Sequence, residues 1–583
     1  MKKLVLISIF ISMLYLCLGQ AISQDYARQI AKAFLSQKGY TPSGYTNIHP
    51  ITDDSRLYAY IFELDPQGYI VVSADEKLPP VIAYSFDSVY LAEDSRNPMQ
   101  AMLLADLAQR ILAPESIAQR NRQARQDLLS GTSRGIFEQW PPEGSTFTGG
   151  WVKTRWNQTA PYNALCPIDP VSQIRSVAGC PAVAMAQIFN YHQQLNGTTF
   201  TDTDDYYHNY SGRYYWIDND YDANGFPSWS QLNDYLDTLA NTYWGGTEPT
   251  PLETAALIFA CGAAAHQVYS SQGSGTFAVS QAFSAIQRFG YAESELLTAD
   301  SPDLFTRIAQ NIKDALPVLY ACVTPAWDAG HNVVLDGYNT DDYYHINFGW
   351  GGSYDGWFLL PSEMPYQLTV VEGAVVDIIP PQFLFCMPEQ IVFENITQLS
   401  EGVDFELLNL SDQPLLIEAV ECPHYNSLYF QVTIQNQSLP YLLPAGQSLY
   451  GTLQGIFLDR VYQGFGMRIK HSKGYQTYPV VIDDSIPLTN ADPQISPPAI
   501  SLRSYPNPFQ TSLQIELTGK VPAAGLVEIY NIKGQLVREL AANSSILLWD
   551  GKALDGRDLT RGIYLLHLKG TDSTARIFKQ QSY

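Results

Sequence analysis

The chain has 583 residues, too many for one hydrophobic core, so roughly three to five domains are expected. Its 46% apolar content is that of globular protein, which removes disorder as the default reading. Its net charge of −24 excludes a nucleic-acid binder, which needs a basic footprint, and disfavours docking on anionic membrane.

The N-terminus opens with Met1-Lys2-Lys3, runs apolar from Leu4 to Gly19, and offers small residues at Gly19 and Ala21. That is the pattern of a secretory signal peptide over residues 1–21. The run is short for a bilayer span of about 20 residues, and no later stretch is long and apolar enough, so no membrane span is expected after signal removal. Six cysteines remain: Cys166, Cys180, Cys261, Cys322, Cys386 and Cys422. Their irregular spacing and low density argue against a disulfide scaffold, and no zinc-ligand spacing of Cys and His is present.

Residues 22–135 read as a separate α+β unit. Ser23 can cap a helix that carries Tyr26, Ile30 and Phe34 on one face. Leu57–Leu64 and Tyr69–Ala74 flank the turn sequence Asp65-Pro66-Gln67-Gly68 and predict a hairpin. Residues 100–130 predict helix, with Leu103, Leu104, Leu107, Ile111 and Leu112 on one stripe. The polar stretch Ser130–Gly150, which holds Gly and Pro, reads as a linker and cut site. Residues 149–380 mix helices with strands and loops rich in Gly, Tyr and Trp. Residues 383–490 show short alternating strands, which predicts a β-sandwich. Asp483–Pro498 is a Pro-bearing linker, and residues 500–583 form a further all-β unit.

Chemistry concentrates at two places. In Gly179-Cys180-Pro181, followed by the helix-forming run Ala182–Phe189, Pro181 suits a first helical turn and places Cys180 at the helix N-terminus. Free N–H groups and the positive dipole end there favour a thiolate and can hold an oxyanion beside it. The apolar helix should be buried with only its tip open; the bland alternative makes Cys180 a small core residue. A thiolate nucleophile needs a base. Of nine histidines, His49, His208, His424 and His471 sit in polar settings, His192 and His266 on helical patterns, and His567 in a strand. His331 differs: it follows Ala329-Gly330 and opens the apolar strand Val333-Val334-Leu335. The next strand, Tyr343–Asn347, ends in Phe348-Gly349-Trp350-Gly351-Gly352. A hairpin would return Asn347 towards His331, where its carbonyl could accept from the imidazole and fix its tautomer, with Trp350 covering the pair. His345 reads as an ordinary strand residue.

These segments resemble the streptopain family of papain-like cysteine peptidases. Gly179-Cys180, Ala184–Ile188 and Tyr191-His192 are similar to its nucleophile helix. Gly330-His331, Asp336-Gly337, Tyr344–Gly352 and Asp355–Phe358 are similar to its His and Asn/Trp region. Asn347 follows His331 by sixteen positions, the family's spacing. Trp156-Asn157-Gln158 and Pro161-Tyr162-Asn163 extend the likeness. The resemblance implies a two-lobed papain-like domain over 149–380, with Cys180 as nucleophile, His331 as base and acid, Asn347 as orienter and Trp350 as aromatic lid. It requires no metal or organic cofactor, and protein or peptide substrates are implied. Phe348 stands where the family often has a second Trp and lacks the indole donor. Gln173, seven residues before Cys180 rather than six, is the candidate oxyanion donor.

Residues 22–135, above all Tyr69–Asp75, resemble the family's inhibitory pro-domain, which implies an intramolecular inhibitor. The tail resembles the C-terminal sorting domain of type IX secretion. Its marks are Tyr505-Pro506-Asn507-Pro508-Phe509, Val527–Asn531, Gly534-Gln535, Trp549-Asp550-Gly551, Gly556-Arg557 and Gly562-Ile563-Tyr564. It implies secretion machinery as a partner and a secreted or cell-surface location. The expectation is an α+β zymogen with two C-terminal Ig-like β-sandwiches. The competing readings are a catalytically inactive papain-like adhesin, and a thiol acyl-transferase or amidase on the same fold.

Overall fold

The structure, a computed structural model, describes residues 22–482 apart from 54–55, 91–97, 133–136, 325–329, 361–369, 394–400, 423–428 and 458–464. It also describes 501–579 apart from 506, 508, 510, 519–524, 532–534, 543, 561, 570 and 572–573. The expected signal peptide, the linker Asp483–Pro498, His424, Pro506, Pro508 and Gly534 lie outside the described residues. The chain divides into two compact units, Met1–Pro380 and Pro381–Tyr583.

In the first unit, Ser23 Oγ accepts from Tyr26 N and starts helix α1 (Gln24–Gln37), which buries Ile30 and Phe34. Strands β1 (Gly44–Thr52), β2 (Leu57–Asp65), β3 (Tyr69–Ser73) and β4 (Val81–Ser85) follow as an antiparallel meander. The β2–β3 turn closes on Gly68, whose φ of +106° an L side chain rarely adopts. The expected single helix over 100–130 is two: α2 (Pro98–Arg110) and α3 (Glu115–Ser130). Pro114 stands between them, and its preference for a first-turn position starts α3. Leu112, expected on the buried stripe, lies in the break and is 74% exposed. Helix α3 plants the buried Arg125 guanidinium on Ser73 Oγ and the Asp75 and Leu78 carbonyls.

Downstream come β5 (Gln139–Trp140), α4 (Cys180–His192), the hairpin β6 (Tyr206–Tyr210) and β7 (Arg213–Ile217), and helices α5 (Trp229–Gly245), α6 (Pro251–Ala264) and α7 (Val279–Arg288). Then follow β8 (Glu295–Thr298), helix α8 (Leu304–Lys313), β9 (Val318–Val323), β10 (Gly330–Asn339), β11 (Tyr343–Asn347), β12 (Gly356–Leu359) and β13 (Val370–Val376). One sheet runs β1-β2-β3-β4-β12-β11-β10-β9-β13-β8, with β5 on β10. The N-terminal strands thus extend the later sheet, through Trp357 opposite Tyr84 and Phe358 opposite Ala83. Val71, Tyr320, Val333, Leu335, Ile346 and Phe348 fill a core on this sheet.

In the second unit, strands β14 (Leu384–Met387) to β22 (Gly474–Ile482) form a four-stranded and a five-stranded sheet around one core that holds Phe393, Leu407, Ile417, Leu453 and Met467. Strands β23 (Ser501–Tyr505) to β29 (Thr574–Lys579) form sheets of three and four strands around Trp549, Ile515 and Leu566. Among the described residues no helix is long and apolar enough to cross a membrane.

Candidate active site

Helix α4 begins at Cys180. Its N-cap, Gly179, has a φ of +88°, and a Cβ there would come within 2.5 Å of Gln267 Oε1, so both backbone and space call for glycine. Gln267 Nε2 donates to the Ala178 carbonyl at 2.8 Å and fixes the approach to the helix. Pro181–Phe189 are buried, and α4 packs between α6 and β10. Cys180 alone keeps part of its surface open. The remaining five cysteines are buried, and all six are free. The Asn332 backbone N–H donates to Cys180 Sγ at 3.4 Å. Burial pushes the thiol up, while hydrogen bonds from Asn332 and from the Cys180 N–H pull it back.

His331 is the second residue of β10 and is 8% exposed. Its Nε2 donates to the Phe348 carbonyl at 2.8 Å. Trp350 stacks on the ring at 4.4 Å between centroids and 23° between planes. Burial pushes the imidazole down to about 4, so it is neutral at neutral pH. Among the described residues no hydrogen bond joins the ring to Cys180; the sulfur is held by the neighbouring Asn332.

The expected bond from Asn347 to His331 is not formed. The ladder sets Asn347 opposite Val334, three positions along from His331. Its carboxamide instead exchanges bonds with Gln187 at 3.1 and 3.3 Å, donates to Thr154 O at 2.8 Å and accepts from Gly349 N at 3.0 Å. The next peptide's carbonyl, at Phe348, takes the imidazole. Gln173 also departs from expectation: it is exposed, has a φ of +61°, and donates its amide to Pro170 O at 2.9 Å, away from the thiol. A left-handed turn at Gln173 points the side chain back along its own loop.

Sequence reasoning missed Gln187, Asn332 and the acidic cluster. Gln187 is a buried amide inside an otherwise apolar helix, and that contrast was the available signal. It accepts from Thr154 Oγ1 at 3.0 Å and Trp156 N at 3.3 Å. His345, read as an ordinary strand residue, pairs with Asp336 at 2.6 Å, both fully enclosed. Burial opposes its charge, but Asp336 outweighs that and raises it. Burial pushes Asp355 up to about 7 while its Oδ1 accepts from Phe348 N at 2.9 Å. Asp355 therefore holds the residue whose carbonyl engages His331. His208 and His471, read as sitting in polar settings, are buried; His208 Nε2 accepts from Tyr269 N at 2.7 Å.

The N-terminal strands reach this same turn. Tyr69 OH donates to Tyr354 O at 2.5 Å, and Tyr354 N donates to Val89 O at 3.1 Å. Tyr90 meets the Tyr354 ring edge-on at 5.5 Å, and Tyr354 meets Trp350 at 5.8 Å.

Three family models match the chain: the peptidase C10 family over residues 156–358, the Spi protease inhibitor over 19–111, and the secretion system C-terminal sorting domain over 503–580. Streptopain from Streptococcus pyogenes is 26% identical over 330 residues, covering 54% of this chain and 77% of streptopain. The thiol protease/hemagglutinin PrtT of Porphyromonas gingivalis is 24% identical over 393 residues, covering 62% of this chain and 42% of PrtT. A prointerpain A fragment from Prevotella intermedia is 22% identical, covers 58% of this chain and 99% of the fragment, and superposes with a TM-score of 0.39. The sorting domain makes this an extracellular or cell-surface protein. Residues 156–358, which include Cys180 and His331, are thus a peptidase C10 domain similar to streptopain, and the chain is a cysteine peptidase that carries its own Spi-type inhibitor domain and a secretion sorting tail.

Proposed function

We propose that the protein is a secreted cysteine endopeptidase, made as a zymogen, that hydrolyses peptide bonds through an acyl-enzyme on Cys180. The observation that carries this reading is the convergence of two distant segments. Cys180 stands at the open tip of a buried helix, and its sulfur is bonded to the residue adjoining His331. In the reaction, His331 takes the thiol proton, the sulfur attacks the scissile carbonyl, and the Cys180 N–H at the helix tip donates to the oxyanion. His331 then gives its proton to the leaving amine, and water hydrolyses the thioester by the reverse route. Trp350 covers the imidazole. Asn347 orients it through the 347–350 turn rather than by a direct bond. Gln173 receives no role.

In the precursor, His331 is engaged with the Phe348 carbonyl and Trp350, and both ring and thiol are neutral. The proposed activation is removal of residues 22–135, which frees the turn that restrains the base. We further assign a papain-like two-lobed catalytic domain to 149–380, with α4–α7 on one side of the thiol and the sheet on the other. Residues 383–490 and 500–583 are assigned as Ig-like sandwiches, the second engaging the secretion machinery.

The test is hydrolysis of a denatured protein by the processed enzyme. A thiol alkylator should block it, and Cys180→Ala should abolish it and leave full-length precursor. Continued cleavage by the alanine variant would assign the nucleophile elsewhere.

A further inference from the structure

Strand β10 presents two consecutive polar residues, His331 and Asn332, and alternation sends them to opposite faces. His331 goes to the side of Phe348 and Trp350. Asn332 goes to Cys180. Strand β11 ends opposite Val334, so it does not take the Asn332 N–H, which reaches Sγ at 3.4 Å. The Asn332 carboxamide also draws the thiol pKa down, the effect of a donor facing the sulfur. Its Oδ1, by contrast, is buried without a hydrogen-bond partner among the described residues. A buried carbonyl left bare is costly. The arrangement is understandable if the amide NH₂ is committed to sulfur, because the carbonyl must then face the other way.

We propose that Asn332 is a further catalytic residue, which donates twice to Cys180 Sγ, from backbone and carboxamide, and stabilises the thiolate without help from His331. The proposal rests on the reading of Cys180 as nucleophile. Hydrogen bonds to an ionised acceptor are the strong ones, and one aimed at an enclosed sulfur is stronger than the same bond in water. A helix tip supplies one fixed donor set; Asn332 adds a second from the sheet, so the sulfur is held from both of the elements that meet at the site. Nothing in this arrangement requires the imidazole, so Asn332 eases ionisation of the thiol even while the base is engaged elsewhere.

The experiment compares the full-length His331→Ala precursor with the same precursor carrying Asn332→Ala, Asn332→Asp or Asn332→Ser. Iodoacetamide labelling of Cys180 is followed against pH by peptide mass spectrometry. The imidazole is absent throughout, so a difference belongs to position 332. Asn332→Ala should slow labelling at neutral pH by about ten-fold, the loss of one charge-assisted hydrogen bond. The isosteric Asn332→Asp should slow it further, by repulsion between carboxylate and thiolate, and Asn332→Ser should recover part of the rate. The other five cysteines are buried, so their protection from label confirms that each variant is folded. Coincident pH profiles for parent, Ala and Asp in folded protein would overturn the assignment. Its failure is separable from failure of the nucleophile reading, because the latter is decided by hydrolysis with Cys180→Ala and not by labelling.

Discussion

Two buried titratable residues, His331 and Asp355, hold the backbone of one residue: the Phe348 carbonyl accepts from His331 and the Phe348 N–H donates to Asp355. Their pH dependences oppose each other. His331 is held at about 4, below its ordinary 6.5, so the folded state resists protonation; its stabilising share is complete above 6.5 and is lost as pH falls towards 4. Asp355 is held near 7, above its ordinary 3.8, so its share is complete below 3.8 and is lost as pH rises towards 7. Melting temperatures of the unprocessed Cys180→Ala precursor between pH 4 and 7 should show both effects. Adding His331→Gln should shift stability in favour of the Gln variant as pH falls, and adding Asp355→Asn should favour the Asn variant as pH rises. Curves parallel to the parent would show that neither group is restrained as described. The placement of Cys180 at a helix start and of His331 at a strand entry was legible because their neighbours differ from those of every other Cys and His: an abrupt Gly-Cys-Pro start to an apolar helix, and a Gly-His entry to an apolar strand. The partner of His331 was not legible, since a backbone carbonyl leaves no trace in residue identity.

Among the elements, the joint between β4 and β12 decides how the inhibitor domain holds the peptidase domain. Gly356 makes that joint possible: a Cβ there would lie 2.7 Å from Tyr84 O and 2.9 Å from Tyr69 OH. Gly356→Val should part the strands at a cost of about 1–3 kcal/mol, the usual range for overpacking. The expected outcome is faster removal of residues 22–135 by an added protease, read as band loss over time in the Cys180→Ala background. An unchanged rate would mean that the joint does not govern release. The β2–β3 hairpin was readable from Asp65-Pro66-Gln67-Gly68 because turn chemistry is local. The β4–β12 pairing was not, because residues 84 and 357 meet only after the whole intervening chain has folded. The same limit explains the single helix expected over 100–130: apolar spacing continued through Leu112, and the weight of Pro114 was missed.

For the molecule as a whole, the compact unit ending at Pro380 contains the inhibitor strands, α4, β10 and the turn that carries Trp350. A chain truncated after Pro380 should therefore fold, be processed and cleave peptide at a rate comparable to the full protein, while remaining with the producing cell because residues 503–580 are gone. Fractionation of culture and cells, with an activity assay on each, checks both halves; loss of activity in the truncated chain would show that the β-modules support the peptidase. The sequence by itself determined the order of parts, the secreted destination, the helix that begins at Cys180 and the strand that carries His331. Each is written in local composition, periodicity or a short motif, where a residue's neighbours in the chain are also its neighbours in space. Only the tertiary structure decided that Asn347 bonds Gln187 rather than His331, that Asn332 holds the sulfur, and that Gln173 turns away. Those outcomes depend on ladder register and strand alternation, and a single position along a strand exchanges one face of a sheet for the other.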